Sequence, residues 1–120
     1  MPRIKEIIWI SKEIGEADVI VTDGNYEIMC FSHPFYQEKG EEINGILSVF
    51  EHSNLMRSQK TEYVVNHMGN GKYFFVARLI DGIKGIVQIG KIQIHDIEGI
   101  PEEIKRGEYI QFITSRVDLW

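Results

Sequence analysis

Apolar and polar residues alternate along most of the chain in short runs, and turn-forming residues interrupt these runs about every ten positions. Successive side chains of a β-strand point to opposite faces, so a strand with one buried face has this period of two. Residues 16–22 and 26–31 show it most clearly, on either side of the tight turn Asp23-Gly24-Asn25. No helical period persists for more than about two turns. The pattern therefore predicts an all-β protein.

The same period predicts six further strands, and they span residues 3–10, 44–51, 61–68, 72–81, 85–95 and 108–120. Residues 61–68 and 72–81 form a second hairpin across Gly69-Asn70-Gly71. In residues 85–95 the apolar face changes sides at Gly90, which predicts a bulge or a sharp bend within one long strand. Three connecting segments complete the chain: a loop over 32–42, a loop or short helical turn over 51–60, and a helical turn at most over 100–107.

The number and length of these strands predict a small β-barrel or sandwich. A chain of 120 residues has the size of one domain, so residues 1–120 are expected to form a single barrel-like unit. We expect about six to eight strands. The short strands, the glycine bends and the last strand, entered through Gly107-Glu108-Tyr109-Ile110, resemble the small barrels of the OB and SH3 type at the level of pattern. Such barrels carry many unrelated functions, so the resemblance implies a fold and not an activity.

Two short motifs occur twice in the sequence. Asp23-Gly24 and Asp81-Gly82 each follow a β-run, and Gly40-Glu41-Glu42-Ile43 and Gly107-Glu108-Tyr109-Ile110 each precede one. The motifs are consistent with an internal duplication of a half-domain. They are also consistent with the general frequency of these residues at strand ends, because the spacings between the paired motifs differ.

Composition narrows the class of protein. The chain is 43% hydrophobic and 26% charged, as in soluble globular proteins, and its net charge of −5 weakens attraction to nucleic acid and to anionic membranes. The single cysteine, Cys30, excludes an intramolecular disulfide and is typical of a reducing compartment. No apolar run is long enough for a signal peptide or a membrane span. A cytoplasmic protein without a membrane partner is expected, and nothing in the sequence selects an oligomeric state.

Catalytic and metal-binding arrangements are not apparent. Cys30 and His33 are three positions apart, and such positions on a strand point to opposite faces, so contact between them requires the chain to turn. Cys30 shares its face with apolar residues, so we expect a buried thiol. His33, His52, His67 and His95 stand far apart in sequence and lack the paired spacing of zinc ligands. The carboxylate pairs Glu41-Glu42 and Glu102-Glu103 lie in polar loop segments, where solvation is expected. We therefore predict no enzyme, no metal and no cofactor.

Aromatic and basic residues form the remaining candidate site. The candidate ligand-binding residues are Phe35, Tyr36, Lys72, Tyr73, Phe75 and Arg78. Aromatic rings and cations on one sheet face can bind single-stranded nucleic acid or sugars. The leading hypothesis is nevertheless a non-enzymatic module that binds another protein through the loop 32–42, because the chain is acidic. An OB-like oligonucleotide- or oligosaccharide-binding barrel is the alternative.

Overall fold

The computed structural model describes residues 1–120, which form nine β-strands and no helix, so the all-β prediction is confirmed with one strand more than expected. The strands are β1 (Arg3–Ser11), β2 (Glu16–Thr22), β3 (Glu27–Ser32), β4 (Leu47–Arg57), β5 (Val64–Gly69), β6 (Lys72–Asp81), β7 (Ile86–Ile89), β8 (Ile92–His95) and β9 (Tyr109–Leu119). No membrane-spanning helix is present.

All nine strands belong to one sheet with the order β1-β2-β3-β9-β4-β8-β7-β6-β5. The sheet curls until β6 also pairs with β9, and this pairing closes a barrel of the five strands β4, β8, β7, β6 and β9. The strands β1 and β2 extend the sheet beyond β3, and β5 lies on the outside of β6. Of the two architectures predicted from the strand pattern, a barrel or a sandwich, the structure has the barrel, with an additional three-stranded arm.

One continuous core joins the arm to the barrel. Twenty-three buried residues form a single hydrophobic cluster that includes Val19 and Val21 of the arm and Phe75 and Phe112 of the barrel. The alternation of β2, in which every second side chain is buried, supplies the inner face of the arm. No buried side-chain nitrogen or oxygen lacks a hydrogen-bond partner, so the core contains no polar defect.

Two predicted segments differ from the structure. Residues 51–57, expected to form a loop or a helical turn, continue β4, and they remain paired with β9 across a register shift between Ser53 and Met56. Glu51 and Asn54 adopt positive φ there, an irregularity that hides the strand period in the sequence. Residues 85–95 form two strands, β7 and β8, and the change of apolar face at Gly90 marks a hairpin turn between them.

The structure contains an internal repeat. The strands β1, β2, β3 and β4 correspond to β6, β7, β8 and β9 in turn. With this correspondence, the order of these eight strands in the sheet reads the same from both ends. The parallel pair β3–β9 then corresponds to the parallel pair β8–β4. The Gly-Glu motifs correspond: Gly40 and Glu41 bracket Ile4 with two backbone hydrogen bonds of 2.8 and 2.9 Å, and Gly107 and Glu108 bracket Leu79 with two of 2.8 Å. The Asp-Gly motifs do not correspond, because Asp23 follows β2 whereas Asp81 follows β6.

Side chains repeat as well as backbone. Arg3 donates a hydrogen bond to the carbonyl oxygen of Gly40 at 3.2 Å, and Arg78 donates one to that of Gly107 at 3.3 Å. The carboxylates of Glu41 and Glu108 each accept a hydrogen bond from the backbone N–H three residues earlier, at 2.8 and 2.7 Å. This bond is the main reason that the pKa of Glu108 lies below its usual value. The two Gly-Glu turns therefore share one capping mechanism.

The repeat also shows where the two halves differ. Strands β2 and β3 have seven and six residues, whereas their counterparts β7 and β8 have four each. The first half thus has a longer arm, whereas the second half has the same strand order with shorter strands. We conclude that the end of the arm, beyond the shared part, is not required for this strand arrangement.

We predict that Gly85→Ala strongly destabilises the protein. Gly85 has φ +68°, and an added Cβ would lie 2.1 Å from the carbonyl oxygen of Ile97, so the chain must shift. The expected loss is about 2–4 kcal/mol of unfolding free energy, measured by urea denaturation. Gly82→Ala is the matched control, because Gly82 lies in the same turn and its nearest neighbour would be 3.8 Å away. Equal urea midpoints for the two variants would contradict the prediction.

Candidate functional site

Two of the candidate aromatic residues belong to the core. Tyr73 and Phe75 are 4% and 0% exposed, and their rings stack with centroids 5.0 Å apart. The Tyr73 hydroxyl accepts a hydrogen bond from the backbone N–H of Met29 at 2.9 Å, so its polar atom is used inside the protein. Their assignment to an exposed ligand platform was wrong, because the strand β6 presents these alternate positions to the barrel interior.

The two candidate basic residues are exposed but separate from the remaining aromatic pair. Lys72 and Arg78 lie on β6, and neither lines either of the two depressions that contain Phe35 and Tyr36. Arg78 is engaged with the carbonyl oxygen of Gly107 as part of the internal repeat. The six candidate residues therefore do not form one site.

The Cys30 thiol is buried. Burial raises the pKa of Cys30 strongly, and the nearby charges of Asp118 and Asp18 raise it further. The sulfur lies 3.6 Å from the carbonyl oxygen of Ile28, whereas His33 is exposed on the following loop. This arrangement disfavours the thiolate, which is the reactive form of the side chain.

The principal concave feature near Phe35 and Tyr36 is a cleft of about 570 Å³ between the end of the β1–β2 hairpin and the loop 33–39. One wall is the end of the β1–β2 hairpin, which belongs to the long arm of the first half of the repeat, and the other wall is the loop 33–39. The lining residues are Ile7, Trp9, Lys12, Glu13, Ile14, Gly15, Phe35, Tyr36, Gln37, Glu38 and Lys39. A volume of this size is within the range of ligand-binding clefts.

Phe35 fixes the loop to the hairpin and forms the floor of the cleft. Its side chain is buried, and its ring lies 6.1 Å from that of Trp9. Its backbone N–H donates a 2.8 Å hydrogen bond to the carbonyl oxygen of Gly15. Gly15 has φ +76°, and a Cβ there would lie 3.3 Å from that of Pro34, so glycine allows the close approach.

The rest of the loop is held by its own polar side chains. The Gln37 amide donates to the carbonyl oxygen of Glu42 at 2.7 Å and accepts from the backbone N–H of Asn44 at 3.2 Å. The Glu41 carboxylate accepts from the backbone N–H of Glu38. These contacts order the wall of the cleft without a partner, which lowers the entropy cost of binding.

The rim of the cleft is apolar and carries balanced charges. Trp9 and Ile14 on the hairpin and Tyr36 on the loop are exposed, Tyr36 by 84% of its surface. Lys12 and Lys39 are offset by Glu13 and Glu38, and the Lys12 ammonium lies 6.0 Å from the Trp9 ring centre. Exposed apolar residues grouped around a concavity are typical of protein-binding surfaces.

Strand addition along β1 is limited. The outer edge of β1 has no partner strand, but the loop at 40–43 covers its beginning through hydrogen bonds to Pro2 and Ile4. Register shifts between Ile4 and Glu6 and between Trp9 and Ser11 interrupt the rest of β1. Bulges of this kind protect sheet edges from pairing. Pairing of a further strand along β1 is therefore disfavoured.

Trp9 and Ile14 were not among the residues selected from the sequence. A signal was present: Ile7-Ile8-Trp9-Ile10 is a run of apolar residues that breaks the alternation of an edge strand. In a strand with one buried face, such a run must place apolar side chains in solvent. The position of β1 at the edge of the sheet was needed to interpret it.

Comparisons with known proteins give no relative from which a function could be transferred: no family model, no curated protein and no solved structure matches the chain.

We predict that substitutions of two adjacent aromatic residues change the unfolding free energy by very different amounts. Phe35→Ala should lower the unfolding free energy by about 3 kcal/mol, because it leaves a cavity under the cleft. Tyr36→Ala should change it by less than about 0.5 kcal/mol, because the side chain is exposed. Urea denaturation of both variants, with wild type alongside, measures the difference. A similar loss in both would show that Phe35 does not anchor the loop.

We further predict that Cys30 does not react in the folded protein. Iodoacetamide at mildly alkaline pH should leave the native chain unmodified and alkylate it once urea unfolds it, because the thiol is buried and its pKa is raised. Mass spectrometry of the intact protein gives the extent of reaction. Rapid alkylation without denaturant would show that the thiol is accessible.

Proposed function

We propose that the protein is a non-enzymatic module that binds an extended segment of another protein in the cleft between the β1–β2 hairpin and the loop 33–39. The observation that carries the proposal is the exposure of Trp9, Ile14 and Tyr36 around a cleft whose floor and wall are fixed in the absence of a partner. Exposed aromatic side chains on an ordered framework are frequent anchors of protein interfaces.

The internal repeat supports this location. The second half of the repeat forms its part of the barrel with short strands, so the longer arm has no counterpart there, and the corresponding β6–β7 turn exposes one large apolar side chain, Ile83. Exposing apolar side chains to water is unfavourable, and the fold does not need them at the end of the hairpin. A binding role accounts for their presence.

The nucleic-acid alternative loses its main support. It depended on Tyr73 and Phe75, which are buried, and on Lys72 and Arg78, which lie apart from Tyr36. The cleft itself has no excess of positive charge, and the whole chain carries −5. Phosphate backbones bind through basic surfaces, so a protein segment is the better occupant.

A cytoplasmic setting is part of the proposal. The single cysteine is buried and forms no disulfide, which is common among proteins of reducing compartments. A fluorescent fusion of the chain in its own cells would test this part separately from the binding.

The proposal is tested by selection from a displayed library of random peptides about ten residues long, which in extended form exceed the cleft. Peptides should be enriched on the wild-type protein and lose binding to the variant Trp9→Ser/Tyr36→Ser by about tenfold or more. The matched control is Ile83→Ser, because Ile83 is fully exposed at the tip of the β6–β7 turn, outside the cleft.

The possible outcomes are clear. Enrichment that depends on Trp9 and Tyr36 but not on Ile83 supports the cleft as a binding site. Enrichment that is equal on all three proteins, or no enrichment on folded wild-type protein, would remove the proposed function. Circular dichroism of each variant establishes that lost binding does not reflect unfolding.

A further inference from the structure

The cleft is one end of a longer groove. Four exposed aromatic side chains occur in the protein, Trp9, Tyr36, Trp120 and Phe50, and each lines at least one of four depressions that adjoin one another. We call these four residues and the depressions between them the aromatic groove.

Neighbouring depressions share lining residues, which places them side by side along the surface. The cleft and the next depression, of about 380 Å³, both contain Phe35, Tyr36 and Gln37. That depression shares Trp120 with a small pocket of about 170 Å³, which in turn shares Phe50 with the last depression. Trp120, at the carboxyl end of the chain, is 74% exposed but its backbone forms two 3.0 Å hydrogen bonds with Ile46. Its ring is thus exposed on a fixed backbone.

Arg116 fixes the far part of the groove. Its guanidinium lies 4.5 Å from the ring centre of Phe50 and 4.7 Å from that of Phe31. Two hydrogen bonds of 2.6 and 3.2 Å join it to the Asp118 carboxylate, whose residue is 6% exposed. One face of Phe50 is therefore already occupied, while 47% of the residue remains exposed to the groove.

The charges along the groove identify the chemistry of its occupant. The lining residues include three lysine or arginine side chains and seven aspartate or glutamate side chains. Arg116 is neutralised by Asp118, and the cleft end is balanced, so the excess negative charge lies towards Phe50. Glu51, Asp96 and Glu98 line that end and have no ion-pair partner within 4.0 Å. A polyanion is repelled by this surface and a basic segment is attracted.

We infer that the partner segment runs along the whole aromatic groove and carries basic residues next to apolar ones, with a lysine or arginine at the Phe50 end. The inference rests on the proposed function, since it names the partner of the same site. Apolar side chains of the segment occupy the cleft and pass Trp120. The basic residue packs against Phe50 and pairs with the carboxylates, as guanidinium groups do with aromatic rings and acids.

The test uses the peptides selected on the wild-type protein. The enriched sequences should contain an excess of lysine and arginine over the starting library. One synthetic peptide and its version with glutamine at the basic position are then compared by fluorescence anisotropy at low and moderate salt. The basic peptide should bind about fivefold more tightly than the glutamine version, and added salt should reduce the difference.

Protein variants locate the basic residue. Glu51→Gln/Asp96→Asn/Glu98→Gln should abolish the preference for the basic peptide, and Trp120→Ser should weaken both peptides. The control Glu62→Gln/Glu102→Gln/Glu103→Gln removes the same charge from exposed carboxylates outside the groove and should leave the preference intact. Because the control changes the net charge equally, it separates a local effect from a global one.

The outcomes distinguish this inference from the proposed function. Peptides that require Trp9 and Tyr36, show no basic excess and ignore Trp120→Ser would leave the cleft as the site and overturn the extended groove. Loss of the preference in the control as well as in the test variant would also overturn it. Failure to enrich any peptide removes the proposed function and with it the inference.

Discussion

The antiparallel pairing of β4 with β9 is the interaction on which the rest of the structure depends. Each of these strands has eleven residues, and their pairing runs from Leu47 opposite Leu119 to Arg57 opposite Ile110. The pair lies at the centre of the sheet, where β3 and β8 each attach to it by a short parallel contact. The barrel closes only because β9 also pairs with β6. Neither half of the repeat is completed without the long strand of the other.

This central pair has an irregularity that reaches the surface. The register shift in β4 and the positive φ at Glu51 and Asn54 lie at and just beyond the far end of the aromatic groove. The buried Thr114 hydroxyl lies within hydrogen-bond distance of the Glu51 carbonyl oxygen, at 3.1 Å, which supports the backbone at this bend. A regular strand would keep the alternation of β4 and would turn the Glu51 side chain differently. The groove therefore depends on the same strand that organises the fold.

Much of the fold could be predicted from the alternation of apolar and polar residues and from the turns, whereas the residues of the candidate site could not. The alternation of β2 and the turn at Asp23 predict the first hairpin, and the structure confirms it in strands β2 and β3. The change of face at Gly90 was detected in the sequence, but only the antiparallel pairing of β7 with β8 shows that it is a turn between two four-residue strands. Tyr73 was misassigned because an isolated sequence cannot say which face of a strand lies inside a closed barrel. Trp9 was missed because only the sheet order shows that β1 is an edge.

The repeat explains how a small domain can carry both a stable core and an exposed apolar surface. The contacts shared by both halves include the short hydrogen bonds that bracket Ile4 and Leu79, two buried residues whose partners lie about 30 positions or more away in the sequence. These contacts are the same in both halves, although the two arms differ in length. The additional residues at the end of the first arm lie outside these shared contacts. Phe35, which is buried, connects the exposed side chains at that end to the core through its contact with Trp9.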